Sequence, residues 1–416
     1  MKFVLKKSKI ISAIFTLTLM MCFLVRGSAV SICIPEIGNV IWVLLIVSLL
    51  LYAVINNFKI KKGDIFNNKE VFTLIILSLP SLIVNYSTIN SIAWVKYYTA
   101  ILLAYGLSLC YDKEILVKKY VKIMLFFATV SIILYVMFNY IKLPSSFLPV
   151  ITKQTDSRVR YYSLFIYNIW IGESTRNCGP FWEPSIFAAY LVIALQFRCF
   201  FIKKDDHLKR DFIIIVFAIL TTMSTGGYIL LMITCLMIFW KNRKNNNVII
   251  GVISLITIML FILFLPMIEN WLLSLNYEMF SKIFMFNERG TTLTRKVSFL
   301  TNIKIWSDNL LFGVGLNQID FYYATVKELI GKSGLNAAQT STSGVFLASM
   351  GICGIYYNYL WVKVTVKENR LNLMQKILFG ICVFFIINET PHTYFVITYF
   401  IMFTLLKKGE CKIENK

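Results

Sequence analysis

Apolar runs of about 15 to 22 residues recur from one end of this chain to the other, and no other feature constrains the fold as much. At 1.5 Å per residue, a helix of that length matches the roughly 30 Å hydrocarbon core of a bilayer. Backbone polar groups in lipid must be satisfied within their own segment, which selects helices. Composition agrees: 58% of the 416 residues are hydrophobic and 15% charged, with mean hydropathy +0.70. A soluble domain carries about 25% charged residues, so that class is excluded. The sequence predicts an all-α polytopic membrane protein, a single integral membrane domain over 1–416. About twelve spans are expected, near 10–25, 39–57, 71–86, 92–110, 121–141, 184–202, 212–224, 226–240, 248–267, 342–361, 374–389 and 391–406.

The formal charge is +21. In a soluble protein that would suggest nucleic acid, but here the distribution gives another reason. The segments "MKFVLKKSK", "KIKKGDIFNNKE", "YDKEILVKK", "KKDDHLKRD", "KNRKNNN", "KVTVKENR" and "KKGECKIENK" alternate with the others along the chain and hold more than half of the Lys and Arg. Cytoplasmic loops collect such residues. The chain is therefore read as multi-pass with both termini cytoplasmic and no nucleic-acid partner. The first segment resembles a signal peptide in its basic start and apolar run. It lacks a clean small-residue cleavage site and is read as an uncleaved first helix.

Two outer segments, 142–183 and 268–341, are long where the others are turns, and long loops in compact proteins tend to be functional. The first holds "RVRYYSLFIYNIWIGESTRNCGPFW". In the second, Leu293, Val297, Leu300 and Trp306 recur at roughly helical spacing, which predicts an amphipathic helix lying on the outer membrane boundary. No internal repeat is visible. Most of the nine cysteines sit inside apolar runs, as small hydrophobes do. Cys33 and Cys178 fall near the outer face, where a disulfide between them is an option. Zinc-ligand spacing is missing.

Candidate chemistry gathers in the outer segments. Arg176 and Glu183 flank "NCGPFW" at the lip of an apolar helix. One reading is a basic boundary anchor and an acid at a helix N-terminus before Pro184. The other is a site in which Arg176 binds a phosphate or pyrophosphate and Glu183 acts as a base or orients a hydroxyl. Arg158 and Arg160 flank Val159, so an extended segment puts both on one side, as an anion clamp or as solvated loop. In "NERGTTLTRKVSFL", Gly290 permits a turn, and Arg289 and Arg295 flank a helix start that suits an anion or, equally, a snorkelling basic face. His392 follows Glu389 by three residues in "NETPHTYF", either as a proton-transfer pair or as a polar turn. Ser224-Thr225-Gly226-Gly227 reads as a tight outer turn. "LFGVGL" lacks the lysine of a phosphate loop, and Asp205-Asp206 lies among lysines as a charge-balanced loop.

Three stretches, "RNCGPFWEPSIFAAYL", "TMSTGGYILLMI" and "LTRKVSFLTNIKIWSDNLLFGVGLNQ" with "STSGVFLASMGICGIYYN", resemble in order and topology the O-antigen polymerase (Wzy-type) family, related to the O-antigen ligases. The likeness runs from about residue 71 to 406. It implies a GT-C-like, lipid-dependent glycosyltransferase of the bacterial inner (cytoplasmic) membrane. Such an enzyme joins undecaprenyl-pyrophosphate-linked oligosaccharide repeat units on the outer face, in lipopolysaccharide or exopolysaccharide biosynthesis. The resemblance implies no cofactor or metal, and a chain-length regulator as a further partner. It casts Glu183, Arg176, Arg289 and His392 as catalytic candidates, and Arg158, Arg160, Arg295 and Trp182 as contacts for pyrophosphate or sugar. Tyr161, Tyr162 and Trp170 are further aromatic faces for sugars, or interfacial anchors.

One departure matters. The ligases carry a histidine in the second large loop just before the next helix, where this chain reads "LNAAQTSTSGVF"; Gln339 and Ser341 stand there instead. That favours polymerase over ligase. A lipid-linked oligosaccharide flippase is the alternative of another class, and such transporters show internal repeats and short loops.

Overall fold

The structure, a computed structural model, describes residues 2–55, 69–86, 91–110, 113–153, 156–171, 176–203, 205–242, 291–330, 339, 341–388 and 396–406. The expected span 248–267, Arg289, Glu389 and His392 lie outside the described residues, as do the side chains of Arg158 and Arg295.

The first half runs α1 (Lys2–Gly27), α2 (Ala29–Cys33), α3 (Pro35–Ile55), α4 (Lys69–Val84), α5 (Ile92–Cys110) and α6 (Lys113–Asn139). A small sheet follows, with β1 (Val150–Lys153), β2 (Asp156–Ser163) and β3 (Asn168–Trp170). Next come α7 (Pro184–Gln196), which continues as a π-helical turn over Phe197–Phe201, α8 (Leu208–Thr221) and α9 (Thr225–Asn242). The remainder is α10 (Thr291–Asp308), α11 (Ile319–Ile330), α12 (Thr342–Met350), α13 (Ile352–Lys367), α14 (Leu373–Ile387) and α15 (Val396–Leu406). Among the described residues, four helical stretches are long and apolar enough to cross a membrane: Pro35–Tyr52, Ile92–Cys110, Lys113–Asn139 and Pro184–Phe201. The chain is a helical membrane protein. Every residue of α15 is buried, so this wholly apolar strip sits inside the bundle, where an all-round hydrophobic helix belongs.

Among the described residues, the cations of the basic segments meet at one end of the bundle. Lys113 pairs with Glu368, and Lys363 with Glu70 at 3.1 Å. Arg370 donates to the carbonyl of Phe201 at 2.8 Å, Lys241 to that of Cys199 at 2.6 Å and Lys367 to that of Leu406 at 2.8 Å. These carbonyls terminate α7's π-turn and α15. A helix leaves its last carbonyls unsatisfied and carries partial negative charge there, so the cations answer both needs.

Four expectations need correction. The stretch 342–361 is not one span: α12 and α13 form an antiparallel hairpin turned at Gly351. Phe346 stacks on Tyr357 with ring centroids 4.1 Å apart, and Ser343 donates to Asn358. Gly351 has φ 55°, and a Cβ there would lie 2.4 Å from the carbonyl oxygen of Leu311, so only glycine turns the chain here. The fold is also not purely helical, because the first long loop forms an antiparallel sheet in the order β1-β2-β3. Gly226 and Gly227 belong to the first turn of α9 instead of a loop; the turn precedes them, at Met223 with φ 48°. Finally, α10 is a helix as expected, but it does not simply lie on a boundary: its face of Val297, Ser298, Thr301, Asn302 and Ile305 is buried against the bundle, while Leu300 of the expected stripe is 41% exposed. Small and amide side chains allow close approach to α12: Asn302 Cβ lies 3.1 Å from where a Cβ on Gly344 would stand.

Candidate functional site

The segment 176–183 is held in place almost atom by atom. Asn177, fully buried, donates through Nδ2 to Thr221 Oγ1 (2.9 Å) and Ser131 Oγ (3.2 Å), and its Oδ1 accepts from the Gly179 N–H at 2.9 Å. The Gly179 carbonyl accepts from both the backbone N–H (2.8 Å) and Nδ2 (3.2 Å) of Asn168 on β3. Gly179 itself has φ 53°, with the Phe187 ring 2.8 Å from where a Cβ would be. Phe181 bridges to Ser28, and the Trp182 N–H donates to the Gly27 carbonyl at 3.2 Å. The loop thus plugs the top of α1 and leads into α7.

Within this frame Arg176 is half-buried and donates through Nε to the Thr222 carbonyl, a long bond of 3.4 Å, at the α8–α9 turn. Glu183 occupies the N-cap position of α7 with extended backbone (φ −140°, ψ 137°), and Pro184 takes the first helical position. The Glu183 side chain makes no capping hydrogen bond; its carboxylate is not used to close the helix end. Parallel packing of α7 on α9 fixes the level of both groups. Gln196 donates to Thr234 at 3.0 Å, and Ala188 lies beside Gly227. That register carries Glu183 to the height of Thr222, where Arg176 is bonded.

A second set of polar groups lies a little deeper. α14 runs antiparallel to α9, with Gln375 reaching the Met237 carbonyl and Cys382 the Leu230 carbonyl. The same register brings Asn388, at the end of α14, level with Ser224. Ser341, the N-cap of α12, accepts from the Gly344 N–H at 3.0 Å and donates to Asn388. Gln339 donates to Asn302 at 3.4 Å. The N-terminus of α12, the end of α14 and the face of α10 therefore meet in one cluster of hydroxyls and amides. Beneath it lies a cavity of about 40 Å³ between α7, α13, α14 and α15, bounded by Tyr190, Phe197, Trp361, Phe379, Ile387 and Thr398 among others. Charged lip, neutral polar throat and mostly apolar chamber follow one another along the bundle axis.

The other candidates are placed differently. β2 is extended as expected, and Arg160 is exposed on one side of it. That side is opposite the one on which Tyr161 packs over Ala29 and Cys33 and donates to the Trp182 carbonyl at 2.7 Å. Trp182 packs into this same cluster. Arg295 lies in the first turns of α10, as expected. Cys33 and Cys178 are buried and are not joined in a disulfide. Desolvation pushes the Cys33 thiol up to about 11 despite the nearby Lys153 charge, so it stays protonated and unreactive at neutral pH.

Sequence reasoning passed over Asn168, Asn177, Asn302, Asn358 and Asn388. The available signal was an amide inside or next to an apolar run, because an intramembrane polar residue needs a partner and marks an inward face. No protein-family model matches the chain, and no curated protein matches it in sequence.

Proposed function

We propose that the chain is a polysaccharide polymerase of the O-antigen polymerase type. It would join undecaprenyl-pyrophosphate-linked repeat units at the outer face of the inner membrane. On this reading the described helices belong to a bundle of about twelve spans, with the basic end in the cytoplasm. The observation that carries the proposal is the axial order of the site. A charged lip with one arginine and one carboxylate stands above a neutral polar throat and an apolar chamber. The charged lip suits the anionic head of a lipid-linked sugar; the cavity of about 40 Å³ is too small for an isoprenoid tail, which on this reading would lie against the apolar outer faces of the helices.

The reaction asks for two things there. The bond from the sugar's anomeric carbon to the pyrophosphate oxygen breaks, and that oxygen takes up negative charge. A guanidinium such as Arg176, with Arg289 from the second loop, would stabilise it. The new bond forms from an acceptor hydroxyl of the next repeat unit, whose proton goes to a carboxylate or imidazole. Glu183, which is not engaged as a helix cap, suits that role, with His392 as the other candidate. Arg158, Arg160 and Arg295 would act further out on the incoming oligosaccharide.

Deletion of the gene, followed by electrophoresis of surface polysaccharide, tests the reading. Loss of a polymerase leaves lipid A–core bearing a single repeat unit. A core with no repeat unit would indicate a ligase, and blocked export with a growth defect a flippase. An unchanged ladder would overturn the proposal altogether.

A further inference from the structure

The first outer loop carries a surface that neither the bundle nor the candidate site uses. α6 has 27 residues, about 40 Å at 1.5 Å per residue, which exceeds a hydrocarbon core of roughly 30 Å by about seven residues. Its N-terminal end is fixed at the basic end of the bundle by the Lys113–Glu368 pair. The surplus lies at that basic end, where Lys113, Lys118 and Lys119 stand, so the apolar span of 121–141 ends outward at Tyr140 and Ile141, where hydrocarbon gives way to headgroups.

The outward face of α6 does not turn polar as it leaves. Phe126, Ile133 and Tyr140 recur every seven residues and are 48%, 53% and 70% exposed. Seven residues are close to two turns, so the three form one stripe. The helix then stops at Lys142, whose φ is 57°. Beyond it the stripe widens: Ile141, Leu143, Phe147 and Val150 are all exposed, Phe147 to 83%. Lys142 and Arg160 are the exposed charged side chains described beside this patch, and both are cations. A contiguous apolar surface of this kind marks an interaction site.

The geometry points to the membrane itself as the occupant. The β-sheet of the first outer loop is seated in the lipid headgroup layer at the end of the bundle opposite the basic one. Tyr140, Ile141, Leu143 and Phe147 insert at the acyl boundary, and Lys142 meets lipid phosphate. Two observations select lipid over a protein partner. The patch is continuous with the lipid-facing stripe of α6, and its flanking charges have the sign that complements phosphate. Seated this way, the sheet holds Arg160 at headgroup height. The inference depends on the membrane character of the chain and not on the polymerase reading.

Spin-label depth measurement on the full chain tests it, in nanodiscs of phosphatidylethanolamine and phosphatidylglycerol. Labels are placed at Phe147→Cys and Tyr140→Cys, with Phe126→Cys as the hydrocarbon reference and Asp206→Cys, in an exposed charged loop, as the aqueous one. The eight described native cysteines are buried or half-buried, and the unmodified protein labelled in parallel gives the blank. Phe147 and Tyr140 are so exposed that replacing them removes little packing. The expected result is high collision with oxygen and protection from a water-soluble nickel chelate, as at Phe126→Cys. Nickel accessibility equal to that of Asp206→Cys would overturn the inference, as would protection from both reagents, which would mean that protein covers the patch.

Discussion

At the basic end of the bundle, polar chemistry is ionic and paired: Arg198 with Asp211 and Asp205, Lys113 with Glu368, and Lys241, Lys367 and Arg370 on terminal carbonyls. At the opposite end, order comes from neutral groups: Asn168 and Asn177 around Gly179, Trp94 donating to Asn317 at 3.2 Å, Ser341 to Asn388. Among the charges there, Arg176 donates a long bond to the Thr222 carbonyl at the end of α8, and Glu183 makes no helix-capping hydrogen bond. The contrast separates two uses of charge. Where lysine and arginine answer helix ends and buried acids, they hold the fold. Where amides and glycine contacts hold the fold, the charges at the lip are the candidates for a ligand on the proposed reading.

The largest expected effect tests the first half of that statement. Arg198 and Asp211 are 2% and 8% exposed and bond at 2.9 Å. Arg198→Met removes the buried partner of Asp211 and leaves it only the exposed Arg210 at 2.9 Å, at an expected cost of up to about 3 kcal/mol, whereas an apolar replacement of both Arg198 and Asp211 restores most of the loss. Thermal midpoints of Arg198→Met and of Arg198→Met with Asp211→Leu decide it. Equal midpoints would mean that pairing is not what matters. Next in size is Gly351→Ala at the neutral end. A left-handed backbone with a side chain costs about 1–3 kcal/mol, and the Leu311 carbonyl blocks the added carbon. Loss of the monodisperse peak in size-exclusion chromatography is expected; an unchanged profile would remove Gly351 as the hairpin's determinant.

These two sites also show what the sequence made legible. Long apolar helices such as Ile92–Cys110 and Lys113–Asn139 were readable because lipid length and hydropathy act on every residue of a helix. The convergence of basic segments was readable because their spacing alternates with the spans. The α12–α13 hairpin was not, since "STSGVFLASMGICGIYYN" is uniformly apolar and small, and only a contact with Leu311, forty residues earlier, demands that Gly351 reverse the chain. The sheet was hidden for a related reason. "RVRYYS" alternates over too few residues to outweigh the helical context, and its pairing with Val150–Lys153 is a tertiary fact. Of the site, Arg176 and Glu183 were legible as charges at a helix lip. The throat was not, because Asn302, Ser341 and Asn388 come from three helices far apart in the chain.

Arg176→Ala sharpens the second half of the comparison. Its hydrogen bond to the Thr222 carbonyl is long, so the stability change should be about 1 kcal/mol, while on the proposed function polysaccharide chains shorten in complemented deletion cells. Arg176→Lys keeps the charge but not the forked donor geometry and should give intermediate lengths. A wild-type ladder from Arg176→Ala would return this residue to the class of boundary anchors.

The smallest effect lies in the exposed half of the Arg198 cluster. Some desolvation raises the Asp205 carboxyl, but the Arg198 hydrogen bond and charge, with the His207 N–H, outweigh it and hold the group below the usual carboxylate range. A folded value depressed below the unfolded one, about 3.9, contributes stability that is fully present above the unfolded value. It is lost as pH falls through the folded one. Asp205→Asn should therefore lower the thermal midpoint slightly and equally at pH 7 and pH 5, and the gap to the unmodified protein should close in more acidic solution. Because Asp205 is on the surface, added salt should shrink the same gap at pH 7, whereas the buried Arg198–Asp211 pair should respond little. A gap that is independent of both pH and salt would show that Asp205 acts through its backbone contact with His207 and not through its charge.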